Sequence, residues 1–233
     1  MSLIDDVLIA IDEEPRSKDS LEVIFNEINP AFIFSAVGRL LSRNHIMQIG
    51  IGKNIYYKVT PTGDLEIKYN LLGAKKVLSN LPIDIYLISV ANTEKNKPER
   101  EKIRTFLKNN GFALINNGLL INGLVDYKFF SNKLSHISRN SQILYFKINE
   151  VPRDIINILK MPNLNNKYQA WLKLANKFIT DIPKDVNIKR LFSKILIYNL
   201  SLIINSDCKV NNKNLYLKKS KKIYKKIRDY CYI

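Results

Sequence analysis

Between Asn29 and Gly63 the alternation of apolar and polar residues changes period, from helical to extended. Ile33, Phe34, Val37, Leu40 and Leu41 recur at the spacing of one helical face. Asn29 offers an N-cap oxygen, and Pro30 suits the first helical position, where a missing N–H costs nothing. The opposite face is expected to carry Phe32, Ser35, Ala36, Arg39 and Arg43. Two β-branched or aromatic runs follow, Ile46–Ile51 and Ile55–Val59, separated by Gly52-Lys53-Asn54, which has turn chemistry. Tyr56 and Tyr57 must face opposite sides of such a ribbon, so one of them packs inward. Thr60-Pro61-Thr62-Gly63 reads as a stop.

The same patterning organises the rest of the chain. Leu3–Ile11 and Ser20–Asn29 read as two helices, the second capped by Asp19 or Ser20, and Asp64–Leu78 as an amphipathic connector. Ile83–Val90 is a nearly continuous apolar run and predicts a buried strand. Pro98–Asn109 predicts a helix. Phe112–Ile115 and Leu119–Ile121 flank Asn116-Asn117-Gly118, a hairpin signal. Asp126–Ile137 then reads as helix and Gln142–Ile148 as strand, completing a β-α-β-β-α-β order, the ferredoxin-like arrangement. Helical patterns follow over Asp154–Lys160, Tyr168–Thr180, Val186–Ser206 and Leu215–Asp229, with turns at Pro162–Asn166 and Val210–Asn214.

The expected fold class is therefore α+β. A winged helix-turn-helix over residues 1–63 leads through a connector helix (64–80) to a ferredoxin-like middle domain (81–150) and a helical, basic C-terminal domain (151–233). A helix of about 13 residues is roughly 20 Å long, a rod that suits a major groove about 12 Å wide. Arg39 could then form a bidentate pair with a guanine, and Ser35 lies on the same side. Arg43, Lys53 and Lys58 sit where phosphates would run.

Charge sharpens this picture. The chain has 233 residues and a net charge of +16. Residues 151–233 hold +13 of it, residues 81–150 hold +4 and residues 1–80 hold −1. No acidic residue occurs from Pro30 to Gly63. The densest basic cluster is C-terminal, where Lys218, Lys222 and Lys225 are candidate phosphate contacts on a helix whose Ile223, Tyr224 and Ile227 could equally dock it on the body. No run of about 18 apolar residues occurs, so no membrane partner is expected. The acidic N-terminus lacks a signal-peptide pattern. Cys208, Cys231, His45 and His136 show no ligand spacing, so neither a metal nor a cofactor is implied, and a cytoplasmic location is expected.

The segments Ser35–Ile46 (SAVGRLLSRNHI) and Gly52–Gly63 (GKNIYYKVTPTG) together resemble the recognition helix and wing of the PaaX-type repressors of phenylacetate catabolism. The matching positions are Ser35, Arg39, Leu40, Gly52, Lys53, Tyr56, Tyr57 and Thr60; Phe34 stands where the family carries an Arg. Pro98–Ile121 is similar to the family's next helix, Gly-Phe-Gly strand and hydrophobic strand. The resemblance implies a DNA-binding transcriptional regulator, a repressor, that reads a palindromic operator as a homodimer and is not an enzyme. It also implies a small-molecule effector, an aromatic acyl-CoA thioester in members of known role, for which no residue here can be named.

The middle domain suggests a rival reading. Nucleases of CRISPR adaptation use a similar unit with a metal-binding Asp at the end of the first strand. Here that strand ends in Ser89-Val90-Ala91-Asn92, while Asp84 lies at its start and Glu94 beyond its end. A metal-dependent phosphodiesterase needs several converging carboxylates. A nucleic-acid-binding accessory protein or a nuclease of this kind is the alternative.

Overall fold

A computed structural model describes the whole chain except residues 1, 53, 79–82, 91–96, 117, 125, 139–141, 154, 156–163, 208–214 and 232–233. The fold is mixed α+β. Among the described residues there are nine helices and two antiparallel sheets, one of two strands and one of four. The chain divides into two units that do not follow chain order. The first gathers residues 1–71, 169–200 and 220–233, and the second residues 72–168 and 201–219.

The first unit is built around helix α1 (Leu3–Glu13), in which Val7, Leu8, Ile9, Ala10 and Ile11 are all buried. Consecutive buried residues cover every side of a helix, so α1 is enclosed rather than laid on a surface. Helices α2 (Lys18–Ile24) and α3 (Pro30–Ser42) follow, then strands β1 (Ile46–Ile49) and β2 (Tyr56–Val59). The strands pair antiparallel, Ile46 opposite Val59 and Ile49 opposite Tyr56. Arg16, between α1 and α2, adds an isolated antiparallel bridge to β2. Its N–H donates to the Tyr57 carbonyl at 3.1 Å and its carbonyl accepts from the Tyr57 N–H at 2.8 Å.

Helix α4 (Pro61–Leu78) starts as soon as β2 ends. The Thr60 hydroxyl accepts from the Gly63 N–H at 3.2 Å and donates to the Asn44 carbonyl at 2.6 Å. Thr60 is thus an N-cap, and Pro61 takes the first helical position. A Cβ at Gly63 would lie 2.1 Å from the His45 carbonyl oxygen, so only glycine allows this approach. In the same unit, part of helix α8 (Val186–Ser206) lies along α1. Asn199 donates to Asp6 at 2.7 Å, and Arg190 (2.7 Å) and Lys194 both reach Glu13. These pairings run in opposite directions, so the two helices are antiparallel. Trp171, fully buried on helix α7 (Asn165–Thr180), donates to the Leu196 carbonyl at 2.7 Å.

The second unit carries strands β3 (Asp84–Val90), β4 (Ala113–Asn116), β5 (Leu119–Leu124) and β6 (Ile143–Ile148) in the order β4-β5-β3-β6, every neighbour antiparallel. Helices α5 (Lys97–Asn109) and α6 (Tyr127–Ser135) sit between β3 and β4 and between β5 and β6 in the chain. Alternation along β3 puts Tyr86, Ile88 and Val90 on one face, where Tyr86 stacks on Tyr127 of α6 at 4.6 Å. Phe130 meets both Phe106 and Phe112 in that layer. The opposite face holds Ile85 and Leu87, packed with Ala113, Ile121, Ile148, Val151 and Ile155.

Several boundaries differ from the sequence expectation for identifiable reasons. Helix α2 begins at Lys18 because Ser17, not Asp19 or Ser20, caps it, accepting from the Ser20 N–H at 3.2 Å. The β1–β2 strands are shorter than expected because Gly50 (φ +91°) and Gly52 (φ +65°) turn the chain early; a Cβ on Gly50 would lie 2.0 Å from the Asn54 carbonyl oxygen. The connector starts at Pro61, three residues before Asp64, for the capping reason given above. Most of the expected helix Asp154–Lys160 and the turn at Val210–Asn214 lie outside the described residues.

Candidate nucleic-acid interface

Helix α3 is placed by its cap and by its buried stripe. The Asn29 side chain accepts from the Ala31 N–H at 2.9 Å, and Pro30 follows in the first helical position. Ile33, Ala36, Val37 and Leu40 are buried. Ala36 was expected on the outer face but is only 3% exposed. It lies three residues after Ile33 and four before Leu40, so it belongs to their stripe.

The remaining side of α3 faces solvent. Phe32, Ser35, Arg39, Ser42 and the C-cap residue Arg43 are all exposed. At about 100° per residue, Phe32, Ser35, Arg39 and Ser42 fall within roughly 80° of one another. Ser42, seven residues after Ser35, was not singled out from the sequence, although that spacing repeats the same face. Its hydroxyl donates to the Arg39 carbonyl at 2.9 Å. The chain leaves α3 through Asn44 in the left-handed region (φ 55°), and the His45 N–H donates back to the Leu40 carbonyl at 3.0 Å.

The ribbon divides its residues as alternation requires. Tyr57 is buried and Tyr56 is exposed, which settles which tyrosine packs inward. Lys58 is exposed and stands opposite Met47, on the face that also carries Ile49 and Tyr56. Lys53 lies outside the described residues. Among the described residues, Arg39, Arg43 and Lys58 form no salt bridge. Arg43 does share a field with Asp5, whose carboxyl is raised mainly by burial and is lowered in part by Arg43. Lys18 sits 4.9 Å over the Phe34 ring, which satisfies that aromatic within the fold.

Charge elsewhere is less available than the sequence total suggests. Arg190 and Lys194 are bound to Glu13, whose side chain is mostly buried. On helix α9 (Leu215–Arg228), Lys218, Lys222 and Lys225 are exposed at i, i+4 and i+7 and share one face. Ile227 is fully buried, while Ile223 and Tyr224 are half-buried, so the helix is docked by that stripe and these three lysines project outward. Lys219 sits 5.9 Å over Tyr216.

Asp84 pairs with Lys147 at 3.0 Å, and Glu94 and Cys208 lie outside the described residues. Among the described residues no group of three His, Cys, Asp or Glu side chains has metal-binding geometry, and no helix is long and apolar enough to cross a membrane.

No protein-family model and no curated protein sequence matches the chain. Among solved structures it is similar to "Uncharacterized protein Rv0674 from Mycobacterium tuberculosis", at 13% identity and a TM-score of 0.41, over 88% of this chain and 86% of that one.

Proposed function

We propose that the protein is a DNA-binding transcriptional regulator, a repressor of the PaaX-like type, that reads a palindromic operator as a homodimer and catalyses no reaction. The observation that carries this reading is the solvent-facing side of α3. It presents Ser35, Arg39 and Ser42 with no salt-bridge partner for the guanidinium among the described residues, in a stretch of sequence free of carboxylates. A surface arginine normally finds a neighbouring acid or is simply solvated. A run of 34 residues, Pro30 to Gly63, that holds four Lys or Arg and no acid supports a polyanion partner.

The surrounding elements support a winged helix-turn-helix. Three helices precede a two-stranded ribbon, and Arg16, between the first and second of them, adds an isolated bridge to β2. In such a module the third helix enters the major groove and the ribbon flanks it. Arg39 then reaches guanine O6 and N7, Ser35 either base, and Arg43, Lys53 and Lys58 the phosphates. The strand order β4-β5-β3-β6 with intervening helices supports a ferredoxin-like second unit. Lys218, Lys222 and Lys225 add sequence-independent grip.

The test is recovery of bound fragments from sheared genomic DNA by the purified full-length protein, followed by sequencing. A shared inverted repeat with half-sites about one helical turn apart, or a multiple of it, is the expected result. Fragments without a common motif at 150–200 mM salt contradict the proposal.

A further inference from the structure

Phe32 is 66% exposed in the first turn of α3, and no ring contact engages it among the described residues. Phe34, two residues on, is half-buried beneath the Lys18 ammonium. The two aromatics therefore have different roles: one is held by the protein and the other is left open. About 100° per residue puts Phe32 and Arg39, seven positions apart, within roughly 20° of the same line along the helix. Ser35 lies between them. The stripe thus reads apolar, hydroxyl, guanidinium from its N-terminal end, and that end is where recognition helices meet base edges.

We propose that Phe32 is a specificity residue that packs on the 5-methyl group of a thymine in the major groove, so that each half-site contains an obligatory thymine on the N-terminal side of the guanine read by Arg39. The inference rests on the DNA-reading assignment of α3 and adds the base class met by its first turn. Thymine is the one base that offers an apolar group in the major groove, and phenylalanine is among the side chains that match it. Seven residues at 1.5 Å span about 10 Å along α3, which at 3.4 Å per base step corresponds to about two or three base pairs between thymine and guanine. Ser35 faces an intervening pair and can meet either a donor or an acceptor there.

The experiment measures binding of the full-length protein to its selected duplex, with each thymine replaced singly by deoxyuridine, which removes only the methyl group. For the wild type, one position per half-site is expected to lose about three- to five-fold in affinity, the scale of one buried methyl. With Phe32→Ala that loss falls to less than about 1.5-fold while discrimination at the Arg39 guanine persists, and Phe32→Leu retains part of the methyl sensitivity. A methyl penalty unchanged in Phe32→Ala, or no methyl-sensitive thymine in the wild type, overturns the inference and leaves the DNA-reading assignment standing. So does a Phe32→Ala protein that dissociates into monomers with its methyl penalty intact, because Phe32 would then be a subunit contact. A wild type without any sequence preference overturns the assignment itself, and the inference with it.

Discussion

The Thr60 hydroxyl donates to the Asn44 carbonyl at 2.6 Å, tying the residue that ends the ribbon to the one that ends the candidate recognition helix. The same oxygen accepts from the Gly63 N–H, so one buried side chain fixes the exit of α3 and the start of α4 together. Thr60→Val keeps the shape and removes both bonds, taking a partner from the Asn44 carbonyl and from the buried Gly63 N–H. The expected cost is roughly 1–3 kcal/mol, read from urea denaturation. Thr60→Ser restores most of it.

Burial also shapes the pH response of the first unit. Loss of solvent pushes the Asp6 carboxyl up to about 6, against the opposing bond from Asn199, and burial raises Asp5 and Asp12 in the same direction. A carboxyl raised in the folded state contributes stability that is complete below its unfolded pKa of about 4 and lost as pH climbs through about 6. Denaturation midpoints should therefore fall between pH 5 and pH 7.5. Asp6→Asn keeps an oxygen for the Asn199 amide and removes the charge, so it should flatten this trend and add about 1–2 kcal/mol at pH 7.5, partial exposure allowed for. A midpoint unchanged or raised on going from pH 5 to 7.5 would contradict the assignment.

Two neighbouring glutamates should behave differently. Glu13 holds Arg190 and Lys194 with its carboxylate largely buried, while Glu14 pairs with Arg16 at 2.5 Å and is mostly exposed. Glu13→Ala leaves two cations without their shared partner in a half-buried site and should destabilise by roughly 2–4 kcal/mol. Glu14→Ala should cost under about 1 kcal/mol. Thermal denaturation of both variants decides it.

Lys58 should act without regard to sequence. Lys58→Ala is expected to weaken operator and random duplex by similar factors and to reduce the slope of log K against log salt by about one. A loss confined to the operator would give Lys58 a base-reading role instead.

How far these features were legible in the sequence depends on whether their cause is local. The α3 cap and its stripe are local, so Asn29, Pro30, Ile33, Val37 and Leu40 are readable, as is the placing of Tyr56 and Tyr57 on opposite faces, though not which of them is buried. Thr60-Pro61 suits both the end of a ribbon and the start of a helix; the bond from the Gly63 N–H to the Thr60 hydroxyl and the approach of His45 to Gly63, both set by the fold, make it the start of α4. Arg16 pairs through backbone alone, for a single residue, and leaves no pattern. Helix α8 hides its contacts for another reason. Ser193 and Asn199 are buried and spent on bonds, which an apolar periodicity does not count as core. Partners so distant in the chain as Asp6 and Asn199 carry no local signal, so the packing of C-terminal helices with the N-terminal ones was invisible. Among the site residues, exposure of Ser35, Arg39, Arg43 and Lys58 followed from periodicity, whereas Ala36 was misplaced by one stripe width.

The most direct measurement compares wild type and Arg39→Ala on the selected operator and on versions with each guanine changed. The wild type should lose about 1–3 kcal/mol at one guanine per half-site. Arg39→Ala should bind the intact operator more weakly by a similar amount and bind all bases at that position alike. If Arg39→Ala discriminates there as well as the wild type does, α3 is not the helix that reads the DNA.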